Sequence, residues 1–173
     1  MEENNTQQVK YMMIYSGVFE AYYVLDKKRR KTERISDLLR KIGHFRHFSL
    51  TEIVNAKICC KKLIQKKVLL FSDTFEIFWT CCLLGKKFWN DDSLKNSEEI
   101  ESVNGLKVRS INQLEREILK HLDYNFVSSP ELIEKEISIE VNIDQTYKKA
   151  MHNHSVFLKT SQLNKLLNAR TNK

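Results

Sequence analysis

Residues 72–89 have the sequence SDTFEIFWTCCLLGKKFW, which is apolar on nearly every side when it is drawn as a helix. A helix at the surface of a protein keeps a polar face, so a helix without one belongs in the middle of a bundle. Lys86 and Lys87 stand in its last turn, where positive charge favours the carboxyl end of the helix dipole. This stretch therefore predicts a central core helix with other helices packed around it.

The composition favours helices in the rest of the chain as well. The 173 residues include one proline and four glycines, too few for the many turns of a sandwich or barrel. This length suits a single hydrophobic core, so we expect one domain with tails. We predict an all-α fold.

Charge and cysteine usage narrow the class of protein. Lys and Arg number 29 against 22 Asp and Glu, a formal charge of +7, so acidic partners or membranes have to be considered. The cysteines form two adjacent pairs, Cys59-Cys60 and Cys81-Cys82, which lack the spacing of a zinc or redox site. We expect reduced core thiols.

No apolar stretch approaches the roughly 18 residues of a membrane helix, and the N-terminus lacks a signal-peptide pattern. We expect an intracellular protein of the cytoplasm or nucleus.

Several helices are predicted before the central one. Residues 9–25 predict an N-terminal helix, and the basic run 27–31 that follows is interpreted as a solvated loop, with a nuclear localisation signal or phosphate-binding patch as the less common meaning. A short helix is predicted over 34–43. Ser49 followed by Glu52 forms a capping box that predicts a helix start at Ser49. The lysines of this helix are interpreted as its solvent-exposed face; they are Lys57, Lys61, Lys62 and Lys66.

Downstream of the central helix, residues 108–124 predict a helix with one apolar stripe. Glu115 falls inside that stripe, and a buried unpaired carboxylate is costly, so we expect a cation or hydrogen-bond donors beside it. Ser128-Ser129-Pro130 predicts the start of another helix. Residues 137–143 alternate between apolar and polar like a strand, and the leucines near residue 165 predict a terminal helix.

Two motifs in this arrangement resemble the core of a cyclin box. The first is LLGKKFWNDD at 83–92, and the second is INQLEREILKHLDY at 111–124. The chain is most similar to the single-box cyclins of the P and Y types. The resemblance implies a five-helix cyclin box at 34–137, an N-terminal helix and basic loop at 1–33, and a short C-terminal extension at 138–173.

The resemblance also implies a function. Cyclins bind a cyclin-dependent protein kinase against its regulatory helix and activate it, and they are not enzymes themselves. In this family a lysine at the end of the third box helix and a glutamate on the fourth form the central polar contact with the kinase. By motif alignment these residues are Lys87 and Glu115. Phe88, Trp89 and Leu119 are candidate apolar contributors around the pair, and each is also an ordinary core candidate.

The sequence departs from the family pattern in places. Gly85 and Lys86 replace a small Ala-Ser pair, and Lys107 stands where a Ser or Thr cap is expected. Helix geometry alone makes Lys86 the better partner for Glu115, whereas the motif favours Lys87, which we adopt. Residues 34–43 lack the substrate-docking patch of the cell-cycle cyclins.

Other functions receive less support from the sequence. No nucleophile motif, P-loop or glycine-rich dinucleotide turn is present, so we expect no catalytic residue and no cofactor. The pairs His44 with His47 and His152 with His154 lack further ligands at a recognised spacing, so we expect no metal. The alternatives that remain are a basic helical nucleic-acid-binding protein of cyclin fold and a scaffold that binds without activating. No interleaved aromatic stacking pattern supports the nucleic-acid alternative.

Overall fold

The structure is a computed structural model, and the chain divides into two compact units, Met1–Ile137 and Ser138–Lys173. The residues that it describes are 2–25, 27–33, 37, 40–90, 100, 103, 105–146, 148 and 149, with side chains from residue 6 onward.

The first unit is all-α, as the composition predicts. Its elements are α1 (Glu2–Val24), α2 (Lys27–Thr32), a 3₁₀ turn (Ile42–Phe45), α3 (Leu50–Gln65), α4 (Thr74–Trp89), α5 (Val108–His121) and α6, the helical residues 130–137. The described residues form no strand, and one isolated parallel bridge joins Leu25 to Leu70. None of the described helices is long and apolar enough to span a membrane.

Helix α4 is the central core helix that its sequence predicts. It begins after Asp73, whose side chain accepts a hydrogen bond of 2.7 Å from the Glu76 amide. From Thr74 to Gly85 its side chains are buried, apart from a half-buried Glu76, and α1, α3 and α5 all pack against it. Aromatic rings fill the space beside it, with Phe48 and Trp79 perpendicular at 5.7 Å between centroids. Burial on all sides explains why this helix carries no polar face.

The capping box at the start of α3 is confirmed. The Glu52 carboxylate accepts a hydrogen bond of 2.7 Å from the Ser49 amide, and the Ser49 hydroxyl accepts one of 3.2 Å from the Glu52 amide. Each side chain satisfies a backbone group that the first turn leaves unpaired. Helix α3 therefore begins at Leu50, directly after Ser49, as the sequence predicts.

Helix α1 is longer than predicted, since it begins at Glu2 rather than residue 9. One face of it is in the core and packs mainly on α3 and also on α4. At Gly17 the approach to α4 is so close that an added Cβ would lie 2.3 Å from the Phe78 ring. Glycine is required there because Phe78 is fully buried and has nowhere to move.

Two further sequence predictions need correction, and two lie mostly or wholly outside the described residues. The basic run at 27–31 is part of the short helix α2 rather than a loop, because lysine and arginine are good helix formers. Residues 138–143 are helical rather than strand-like; the alternation is too short to distinguish the two periods. Most of the helix predicted over 34–43 lies outside the described residues, as does the predicted terminal helix after residue 150.

Helix α5 ends at His121, three residues earlier than predicted. Asp123 and Tyr124 have φ angles of 51° and 61°, in the left-handed region that terminates helices. The Tyr124 amide donates a hydrogen bond of 2.8 Å to the Leu119 carbonyl, which the helix would otherwise leave unpaired. At the other end Lys107 makes no side-chain cap, in agreement with the missing Ser or Thr.

The lysines of α3 are not simply a solvent-exposed face, so that interpretation is wrong. Lys57 is only 3% exposed, and its Nζ lies 2.8 Å from Glu136 Oε1. Lys61 Nζ lies 2.5 Å from the same oxygen. Lys62 and Lys66 donate to the backbone carbonyls of Asn125 and His121 at 3.0 and 2.9 Å. Together these lysines secure the end of α5 and the helix α6 against α3.

Candidate functional site

Lys87 and Glu115 form an ion pair between the last turn of α4 and the middle of α5. Lys87 Nζ lies 2.6 Å from Glu115 Oε1, and the two side chains are 26% and 15% exposed. The Glu115 carboxylate inside the apolar stripe of α5 is thus paired with a cation, which offsets the cost of burying it. The pair lies at the surface and not within the core.

The end of α4 positions the lysine of this pair. The helix is buried up to Gly85 and reaches solvent at the next turn. Lys86 and Lys87 then diverge, because neighbouring residues point about 100° apart on a helix. Lys86 Nζ lies 5.9 Å from the centroid of the Phe48 ring, whereas Lys87 binds Glu115. The structure therefore brings Glu115 together with the lysine that the motif indicates.

Aromatic side chains follow Lys87 at the end of α4. Phe88 and Trp89 are 55% and 38% exposed, and their rings are perpendicular at 5.8 Å. Phe88 also meets Phe126 edge to face at 5.9 Å. Leu119 is partly buried and packs against the core. The exposed rings give this end of α4 a surface more apolar than isolated side chains produce.

The glycine at position 85, where the cyclin motif has a small Ala-Ser pair, has a local explanation. A Cβ added to Gly85 would lie 3.1 Å from the Trp89 ring and 3.6 Å from the Glu52 backbone. A side chain there would push against the indole one turn further along the helix. Gly85 therefore lets Trp89 lie back along α4 while the ring remains partly exposed.

Phe126 is the member of this surface that sequence reasoning missed. Two contacts from α3 hold its segment: Cys59 Sγ donates to the Phe126 carbonyl at 3.0 Å, and Asn55 Oδ1 accepts from the Ser128 amide at 2.9 Å. The signal that points to them is Asn55, a polar residue on the buried face of α3 that needs a partner. Its partner lies far along the chain and could not be identified without the fold.

Among the described residues no group of three His, Cys, Asp or Glu side chains is arranged to hold a metal ion. The four cysteines are free and buried, and burial raises the pKa of the Cys59 and Cys82 thiols, which keeps them protonated. His44 and His47 contact the rings of Phe75 and Phe48. His152 and His154 lie outside the described residues.

Comparison with protein-family models finds no match to this chain. Comparison with curated proteins and with solved structures finds none either. The candidate site consequently rests on two things: the resemblance of its two motifs and the geometry of the pair that those motifs place together.

Proposed function

We propose that this chain is a cyclin-like regulatory subunit that binds and activates a cyclin-dependent protein kinase through the surface around Lys87 and Glu115. The observation that carries the proposal is the ion pair of these two residues at a partly exposed junction of α4 and α5. The cyclin-like motifs name the same two residues. Sequence resemblance and side-chain geometry therefore support one site.

The ion pair is suited to contact a partner's backbone. An ammonium group donates up to three hydrogen bonds, and the described residues show one from Lys87, to Glu115. The remaining donor capacity can serve carbonyl groups of a docked helix or loop. Because the two charges already compensate each other, covering them with a partner costs less than covering either charge alone.

The aromatic side chains at and near the end of α4 supply the apolar part of the contact. Phe88, Trp89 and Phe126 offer large rigid rings, and such residues dominate the binding energy of protein interfaces. In the proposed contact the polar pair fixes the register of the partner, and the rings at the end of α4 add apolar contact area. Phe88 contributes most because its ring is the more exposed of the two on α4.

Activation follows from differential binding. A kinase whose regulatory helix moves between two positions shifts towards the position that the partner binds more tightly. This surface would hold the regulatory helix and the activation segment in the catalytic arrangement, while every catalytic group belongs to the kinase. The chain then raises the rate of phosphoryl transfer without contributing a reacting atom.

The test uses purified wild-type chain and a panel of cyclin-dependent kinases, each without its own cyclin. Binding is measured by biolayer interferometry, and phosphoryl transfer to a peptide substrate is measured in parallel. Three variants are compared: Glu115→Ala, the charge exchange Lys87→Glu with Glu115→Lys, and Lys120→Ala as a control on the exposed face of α5. We expect the first two to weaken binding about tenfold or more, or by about 1.4 kcal/mol, and the control to match wild type.

The charge exchange separates an intramolecular role from a binding role. It keeps an ion pair between α4 and α5 but reverses the charges that a partner meets. If the exchanged variant binds and activates like wild type, the pair serves only the fold of this chain. Binding to no kinase would reject the proposal, and binding without activation would identify a scaffold instead.

A further inference from the structure

Helix α1 carries a second aromatic surface, unrelated to the ion-pair site. Tyr15, Phe19 and Tyr23 are spaced by four residues on one side of the helix and are 52%, 58% and 46% exposed. We call these three side chains the aromatic stripe. The opposite side of α1 is buried against α3 and α4. Large rings that face solvent in a row are unusual for a helix whose apolar face is already covered.

The aromatic stripe is held in place by contacts at its end. Phe19 and Tyr23 meet edge to face at 5.3 Å. The neighbouring Tyr22 hydroxyl donates a hydrogen bond of 2.9 Å to the Arg30 carbonyl, and the Arg30 guanidinium lies 6.0 Å from the centroid of the Tyr23 ring. Helix α2 is thereby fixed beside the last turn of α1, so little conformational entropy remains to be lost on binding.

A basic cleft adjoins the end of the aromatic stripe. Its volume is about 310 Å³, and its lining residues are Tyr22, Lys27, Arg30 and Lys31. Three of these four described lining residues are cations. The guanidinium and ammonium groups of Arg30, Lys27 and Lys31 are donors to which carboxylate oxygens bind in charge-assisted hydrogen bonds.

We propose that the aromatic stripe and the basic cleft together form a docking surface for an acidic peptide segment of a partner protein. Apolar side chains of the segment lie on Tyr15, Phe19 and Tyr23, and its carboxylates enter the cleft at Arg30 and Lys31. The stripe extends over about 12 Å, eight residues at 1.5 Å each, which matches two to three turns of a bound helix. Charge complementarity selects the acidic class.

An anionic membrane fits this surface less well. Helices that lie in a membrane interface insert a broad apolar face. In α1 that face is occupied by the core of the protein, and the aromatic stripe is one side chain wide with the half-buried Ser16 and Glu20 beside it. The surface shares no residue with the Lys87–Glu115 site, so the proposal is independent of kinase binding.

The test begins with a display library of random peptides about 12 residues long, enough for three helical turns, selected on the immobilised full chain. The enriched peptide is then labelled with fluorescein and titrated by anisotropy. We expect it to combine Asp or Glu with Leu, Phe or Trp and to bind more weakly as salt rises. We expect Phe19→Ser and Lys31→Glu each to lower its affinity about tenfold or more.

Tyr124→Asn is the matched control, because it removes an equally exposed aromatic ring at a left-handed position that asparagine tolerates. All three variants alter exposed side chains and should keep the wild-type melting curve. Enrichment of peptides that bind all variants equally would overturn the proposal. Two other results would also overturn it. One is binding to vesicles of phosphatidylcholine and phosphatidylserine that depends on Phe19 and Lys31 while no peptide binds. The other is self-association of the chain that is lost in the same variants.

Discussion

Two glutamates of this protein bind lysines of a neighbouring helix, and their surroundings differ. Glu136 is 6% exposed and accepts from Lys57 and Lys61, which fastens α6 to α3. Glu115 binds Lys87 at a partly exposed junction, and the exposed rings of Phe88 and Trp89 follow Lys87 in the chain. The residue types are the same in both. Burial and neighbours distinguish the contact that stabilises the fold from the one that we propose as a surface for a partner.

Glu136 shows how two lysines offset the cost of burial. Burial raises the pKa of Glu136. Hydrogen bonds and positive charge from Lys57 and Lys61 lower the pKa by more than burial raises it, so the net pKa lies below the ordinary glutamate value. The carboxylate therefore stays ionised at neutral pH. Lys61 remains partly exposed, which leaves the surplus positive charge in contact with water.

The largest effect is expected from Glu136→Ala. This change leaves Lys57 buried without its carboxylate, and breaking a buried pair in this way costs about 3 kcal/mol of unfolding free energy. Urea denaturation followed by circular dichroism measures the loss. A variant as stable as wild type would mean that Lys57 reaches water once Glu136 is removed.

The double variant Lys57→Met with Glu136→Leu provides the control for that measurement. Replacing both charges by apolar side chains of similar size removes the unpaired charge as well as the pair. We expect it to recover most of the stability that Glu136→Ala loses. Failure to recover would show that Lys61 or the helix contact itself needs the carboxylate.

A smaller effect is expected on acid titration. Because the folded-state pKa of Glu136 is lowered, its contribution is fully present above the ordinary value of 4.5 and is lost as pH falls through the folded pKa. The stability difference between wild type and Glu136→Gln should therefore shrink below about pH 4.5. Unfolding free energies measured at a series of pH values test this, and a constant difference would contradict it.

Glu76 provides a control for the titration, because its effect on stability should change with pH in the opposite direction. Burial and the nearby Asp73 raise the pKa of Glu76, so ionisation of this side chain opposes folding. Wild type should gain stability relative to Glu76→Gln as the pH falls. Two glutamates of one protein would then respond to acid in opposite directions.

The smallest effect on stability is expected at the candidate binding site. Glu115→Ala should change the free energy of unfolding by about 1 kcal/mol or less, since a partly exposed ion pair contributes little. The charge exchange at Lys87 and Glu115 should be closer still to wild type because it retains a pair. Thermal unfolding compares them, and a loss as large as that of Glu136→Ala would assign both pairs to the fold.

The sequence predicts one member of this comparison and misses the other. The Lys87–Glu115 contact was accessible because Glu115 interrupts an apolar stripe and a motif marks the lysine. Lys57 follows the same spacing along α3 as Lys61, which is partly exposed, and its partner Glu136 lies on α6, about eighty positions later in the chain. Burial that depends on a distant helix leaves no local periodicity to detect.

Elements were predicted well where local signals agree and poorly where they compete. The capping box of α3 and the all-apolar α4 each have one interpretation, and the structure agrees with both. The run at 27–31 combines good helix formers with repelling like charges, and composition alone does not decide between them. The exposed rings of α1 also escaped detection, because an aromatic side chain predicts burial by default.

The close contact of Gly17 with Phe78 bears on how the chain folds while it is being synthesised. Helix α1 leaves the ribosome before α3 and α4 exist, so its apolar side has no surface to cover it during that interval. Such a segment is a target for chaperones and for premature association with other chains. Packing of α1 onto the completed α4 is thus a late event, and the absence of a side chain at Gly17 allows the two helices to come into contact.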